Sequence, residues 1–148
     1  MGRRGPACCG TFTFATWQRS AIFLDEGERR DFLRALVAAV PDLLLFALVD
    51  DHLHLVVATD QPAAVAGIVL KMLRHRCPSR IDAPRRTAVE GRAHLERLVG
   101  YLGLQPEKHG LAAVGALYPG GSLIDLLGAR RLEGFDPERL WRHLPRWA

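Results

Sequence analysis

Two histidines separated by one apolar residue, His52-Leu53-His54, open the run Leu53-His54-Leu55-Val56-Val57, which follows another apolar run from Leu43 to Val49. Side chains alternate between the faces of a strand, so His52 and His54 share one face while Leu53, Leu55 and Val57 turn toward a core on the other. Two imidazoles held side by side on a strand make half of a divalent-metal site. A second cluster that could do chemistry comes later in the chain. Leu95, Leu98, Val99 and Leu102 recur at i, i+3, i+4 and i+7, the apolar stripe of a helix. At roughly 100° per residue, His94, Arg97, Tyr101 and Gln105 line one flank of that stripe, at the boundary between core and solvent. Tyr101 and Gln105 are one turn apart and therefore neighbours. Taken alone they also fit a boundary tyrosine and a polar helix end.

The elements that must position these residues follow from local pattern. Thr11 to Gln18 has strand composition and partial alternation. Asp25 with Glu28 three residues later predicts a capping box, and Phe32, Leu33, Leu36, Val37 and Val40 continue it as a helix that Pro41 stops. Leu43 to Val49 and His52 to Thr59 read as two strands of a hairpin turned by Asp50-Asp51, whose carboxylates either make the turn or join the neighbouring histidines in coordination. A second helix starts near Asp60 with Pro62 in its first turn and a stripe of Val65, Ile68, Val69, Met72 and Leu73. A short edge strand is expected at Arg86 to Val89, and a third helix from about Arg92 to Gln105, closed by Pro106. A short helix from Ser122 to Gly128 and another capped by Asp136-Pro137 form the tail. Strand, helix, strand, strand, helix, strand, helix is the order of a ferredoxin-like α+β sandwich, an antiparallel sheet with helices on one face. The expectation is one domain over 1–148, with its core at about 11–128.

Composition narrows the class. With 49% hydrophobic and 24% charged residues the chain reads as an ordinary globular protein, and no apolar stretch approaches a membrane span or a secretory leader. A cytoplasmic protein is expected. Cys8, Cys9 and Cys77 have neither disulfide-framework nor zinc-site spacing, so they are read as reduced and incidental. Charge is concentrated. From Lys71 to Arg92 lie Lys71, Arg74, Arg76, Arg80, Arg85, Arg86 and Arg92 against Asp82 and Glu90, a net +5 in a chain whose total is +4. Clustered guanidinium groups suit a phosphate backbone. They equally suit a solvated face of an arginine-favouring chain, since every basic residue except Lys71 and Lys108 is Arg. Trp17 is read as core or as a platform for a stacked base.

His-hydrophobe-His on a strand followed by Tyr101-Leu102-Gly103-Leu104-Gln105-Pro106 on a helix resembles the single-tyrosine transposases, the insertion-sequence-two-hundred type and the REP-associated tyrosine transposases. Phe46 to Val57 is similar to the family's hairpin entering its histidine motif. Thr16-Trp17-Gln18-Arg19 with Ile22 to Asp25 is similar to its first strand and following segment. Tyr101 to Leu111 is similar to its Tyr-x-x-x-Asn-Pro-x-x-x-Gly-Leu run, with Gln105 standing where the REP-associated group usually has Asn. Asp50-Asp51 stands where the family commonly has Pro-Asn.

The resemblance implies a transposase, a metal-dependent endonuclease and strand-transferase acting on single-stranded or hairpin DNA as a monomer or homodimer. His52, His54 and Gln105 would hold Mg²⁺ or Mn²⁺, and Tyr101 would attack the scissile phosphate and stay joined to the DNA 5′ end. Arg97, Lys71, Arg74, Arg76, Arg85 and Arg86 would contact the strand. The alternative is a domesticated, catalytically inactive DNA-binding module derived from such an enzyme. The chemistry is coherent with such a metal: only about one free tyrosine in a thousand is phenolate at neutral pH, a deficit of ~4 kcal/mol. A cation on the non-bridging phosphate oxygens offsets that by stabilising transition-state charge.

Overall fold

The protein is seen here as a computed structural model that describes residues 9–77, 79–112, 114 and 118–144; Cys8 lies outside them. Its strands are β1 (Cys9–Ala15), β2 (Leu43–Val49), β3 (His52–Ala58) and β4 (Arg85–Ala88). Its helices are α1 (Glu26–Ala39), α2 (Pro62–Arg76), α3 (Arg92–Lys108), α4 (Leu123–Leu126) and α5 (Glu138–His143). The sheet runs β2-β3-β1-β4 with every neighbouring pair antiparallel. This is the ferredoxin-like order expected from the sequence.

Local chemistry accounts for the element ends. Asp25 Oδ1 accepts from the Glu28 N–H at 2.8 Å, while the Glu28 carboxylate reaches back to the Leu24 N–H at 3.2 Å, one residue beyond the usual partner in a capping box. Pro62 opens α2 where a missing N–H costs nothing. The second helix buries Ala66, Val69 and Leu73, whereas Ile68, expected in its stripe, is 45% exposed. Packing against the sheet sets the buried face, and small Ala66 occupies the contact in place of Ile68. β1 ends at Ala15, short of the expected Gln18, and Trp17–Arg19 form a single 3-10 turn.

Two cores sandwich the sheet. On one face Phe12, Phe14, Phe46, Leu48, Leu53 and Leu55 meet Phe32, Leu33, Leu36 and Val37 of α1 and Val69 and Leu73 of α2. On the other, Leu44, Leu45, Ala47 and Val56 meet Leu95 and Leu102 of α3 and Leu140 of α5. Helices on one face therefore describes the two crossover helices only. α3 covers the opposite face because its Leu95/Leu102 stripe is apolar and so are Leu45 and Ala47 of β2 and Val56 of β3 on that side. Every residue of β2 is buried. Its outer edge is closed by residues 118–122, with the Leu48 N–H donating to Gly120 O at 2.8 Å and the Ser122 N–H to Phe46 O at 2.9 Å. A Cβ on Gly120 would lie 2.5 Å from the Tyr118 ring and 2.7 Å from Leu48 O, so only glycine fits there. Cys9 and Cys77 are buried and not in a disulfide. Among the described residues no helix is long and apolar enough to cross a membrane.

Candidate active site

β3 carries both histidines toward α3. The alternation that sends Leu53, Leu55 and Val57 to the α1/α2 core sends His52, His54 and Val56 the other way. Cross-strand partners share a face, and those of His54 are Thr13 and Ala47, those of His52 Ala15 and Val49. Mostly small side chains thus flank the imidazoles and leave room above them. The result is an open cleft of about 840 Å³, lined by both histidines, Thr13, Asp51, Tyr101 and Gln105 among others.

His52 and His54 stand edge to face, their ring centroids 4.5 Å apart. His54 is 8% exposed; its Nδ1 lies 3.2 Å from Thr13 Oγ1, while its Nε2 is buried without a hydrogen-bond partner. With Thr13 accepting from Nδ1–H, the free lone pair sits on Nε2. Burial, reinforced by the charges of His52 and His109 and opposed by Asp51, lowers the His54 pKa to about 4. The ring is therefore neutral at neutral pH, the form that ligates metal. His52 Nδ1 lies 2.5 Å from Asp51 Oδ1. A carboxylate only accepts, so Nδ1 carries the proton shared with Asp51, and Nε2 of His52 is not engaged by that carboxylate. Burial alone would raise the Asp51 pKa; the hydrogen bond and charge of His52, a backbone hydrogen bond and the charge of His109 outweigh it and hold it low. The turn residue Asp51 thus also orients a histidine.

The helix supplies the rest. Tyr101 is 48% exposed, its ring 5.9 Å from that of His54 at 81°. Gln105 is buried. The sequence placed the helix end at Pro106, yet α3 runs on to Lys108 and is closed by the His109 N–H donating to Gln105 O at 3.1 Å. Proline lacks the N–H that would bond Leu102, but buried Gln105 and Pro106 pack well enough to hold the last turn. That turn brings in two residues the sequence reading missed. Tyr101, Gln105, Lys108 and His109 stand at i, i+4, i+7 and i+8, one face only if the helix is continuous. Lys108 Nζ lies 5.8 Å from the Tyr101 ring centroid. The His109 ring is 5.0 Å from that of His52, and its Nε2 is 3.2 Å from Gln105 Oε1. The signal was present as Lys-His after Gln-Pro, hidden by ending the helix at the proline.

The other predicted residues disperse. Arg97 is exposed and does not line the cleft, lying a turn, about 6 Å, up the axis from Tyr101. Beyond it, His94 Nδ1 accepts from the Glu90 N–H at 3.0 Å. Arg85 pairs with Thr13 and lines the cleft, whereas Arg86 pairs with Phe12 and faces the other side. Lys71, Arg74 and Arg76 ride on α2, across the sheet. Arg74 and Arg80 line a neighbouring groove that shares Asp82 and Ala83 with the cleft. Arg19, not singled out in the sequence, reaches the cleft from the 3-10 turn, where Gln18 and Arg19 hold φ of 59° and 55°. Such conformations in non-glycine residues cost of order 1 kcal/mol or more each. Trp17 beside them is 51% exposed and so is not core.

Among the described residues no group of three His, Cys, Asp or Glu side chains is arranged to hold a metal ion. A cation here would rest on two imidazoles and the Gln105 amide oxygen. The donor set fits: the Nε2 of His54 is buried and unpartnered, that of His52 is left free by Asp51, and the cleft is open.

The fold is a ferredoxin-like sandwich in which a histidine-paired strand faces a tyrosine-bearing helix. A solved structure of a REP-associated tyrosine transposase bound to a REP hairpin shares it, with a TM-score of 0.67 over 89% of this chain and 87% of that one, at 16% identity. The chain thus has the fold that the sequence resemblance implied. No family model matches the sequence, and no curated protein does.

Proposed function

We propose that the protein is a metal-dependent transposase that nicks single-stranded or hairpin DNA and transfers the strand through a 5′-phosphotyrosine. The observation that carries this reading is the convergence of His52, His54, Tyr101 and Gln105 on one cleft, with the His54 Nε2 buried and unsatisfied. His52, His54 and Gln105 would hold Mg²⁺ or Mn²⁺, which would supply charge stabilisation on the scissile phosphate. Thr13 and Asp51 keep both imidazoles in the ligating tautomer. Exposed Tyr101 attacks: its phenolic oxygen bonds to phosphorus, the bond to the 3′ oxygen breaks, and the proton lost by the phenol is matched by one gained by the departing 3′ hydroxyl. The Lys108 ammonium lies over the Tyr101 ring, 5.8 Å from its centroid, and is placed to attract the strand's phosphates to the attacking residue. Arg19 and Arg85 hold phosphates at the cleft, Arg74 and Arg80 extend that path, and Trp17 offers a face for an unpaired base.

A hairpin oligonucleotide labelled at its 3′ end, incubated with Mn²⁺, is expected to yield a labelled protein band on a denaturing gel. Tyr101→Phe should abolish it; an adduct undiminished in that variant removes Tyr101 from the role. Salt-sensitive binding with no adduct under either metal would instead identify a DNA-binding module without activity.

A further inference from the structure

We infer that His109 is a positioning residue that fixes the amide of Gln105 with its oxygen toward the histidine pair. The inference rests on the reading of the cleft as a metal site. A buried glutamine amide has two nearly isosteric orientations, and only one presents an oxygen; the other presents an NH₂ group, which repels a cation. Gln105 is 2% exposed, so water does not make that choice. The group within reach of its oxygen is the His109 imidazole, with Nε2 3.2 Å from Oε1. With its proton on Nε2, His109 donates to the amide oxygen, and that pairing selects the ligating orientation. The second lone pair of Oε1 stays available.

The placement of His109 is itself constrained. The helix continues past Pro106, which puts His109 one turn beyond Gln105 on the same face. Its ring then rests edge to face on His52 at 5.0 Å and 66°. His52 is in turn tied to Asp51 at 2.5 Å. Asp51, His52, His109 and Gln105 form one chain of contacts in which each side chain restricts the next. It joins β3 to the end of α3, so the strand and helix halves of the site are held in register by side chains as well as by the core.

Mn²⁺ binding to the full chain, followed by electron paramagnetic resonance, tests this without recourse to activity. His109 is exposed at a helix end, so replacing it leaves the core intact. His109→Ala is expected to weaken Mn²⁺ binding 10- to 100-fold, the usual cost of losing an outer partner of a ligand. His109→Gln, which keeps an N–H donor, should restore affinity to within about threefold and leave the visible band of bound Co²⁺ in place. Unchanged Mn²⁺ affinity in His109→Ala overturns the inference. So does failure of His109→Gln to rescue it together with an altered Co²⁺ band, which would make the imidazole itself a ligand. A wild-type chain that binds neither ion overturns the metal-site reading as well, an outcome distinct from both.

Discussion

Neighbouring residues of the same strands build two unlike faces. Toward α1 and α2, β1 and β3 present Phe12, Phe14, Leu53 and Leu55, all fully buried in a sealed core. Toward α3 the residues between them are Thr13, Ala15, His52 and His54. Large side chains on one face hold the sheet together; small and polar ones on the other leave a gap in which strand and helix face each other across a cleft. The lesson is that this site exists by omission. The α1/α2 face is sealed by large side chains on β1 and β3. The α3 face is packed around Leu44, Leu45, Ala47 and Val56 and leaves its histidine end to keep an unsatisfied imidazole nitrogen and an exposed phenol.

Substitutions at adjacent positions should separate the faces. Phe14→Ala empties the sealed core and is expected to lower unfolding free energy by about 3–5 kcal/mol in urea denaturation. Thr13→Ala, one residue away, should cost no more than about 1 kcal/mol while weakening Mn²⁺ binding. Equal stability losses would mean that the cleft face also carries the fold.

Acid should act through the cleft face. In metal-free protein the unfolded chain protonates His54 near its ordinary 6.5, and the folded chain resists until about 4. Stability present above pH 6.5 is therefore lost progressively as pH falls through that window, by about 3 kcal/mol in full. His54→Ala should flatten that part of the profile; a slope that survives it assigns the loss to other groups.

Asp51→Asn removes the carboxylate that orients His52 and should weaken Mn²⁺ binding by about 10-fold or more, read by the same resonance titration. No change would return Asp51 to a turn residue only. The smallest effect contrasts two neighbours on β4. Arg85→Ala should lower the salt dependence of single-stranded DNA binding by about one phosphate contact, and Arg86→Ala by less. The reverse order would place the strand on the α1/α2 face.

Legibility in the sequence followed the range of the forces involved. The β2 limits, the α1 cap at Asp25 and Pro62 at the start of α2 depend on nearest neighbours and period, and they were readable. So was the sharing of one face by His52 and His54, because a strand has period two. The split of the arginine cluster was not. Arg85 and Arg86 part because a strand alternates, and Lys71 and Arg76 leave the cleft because α2 crosses to the other side of the sheet.

Sequence alone determined which polar groups share a face: two imidazoles on a strand, and an amide and a phenol on a helix, each at a spacing that its own element sets. Only the tertiary structure decided that α3 lies over the histidine side of the sheet, that it continues past Pro106, and that Thr13, Asp51, Lys108 and His109 complete the group. Those outcomes depend on contacts between segments distant in the chain, where burial of apolar surface outweighs local preference, and no local pattern encodes them.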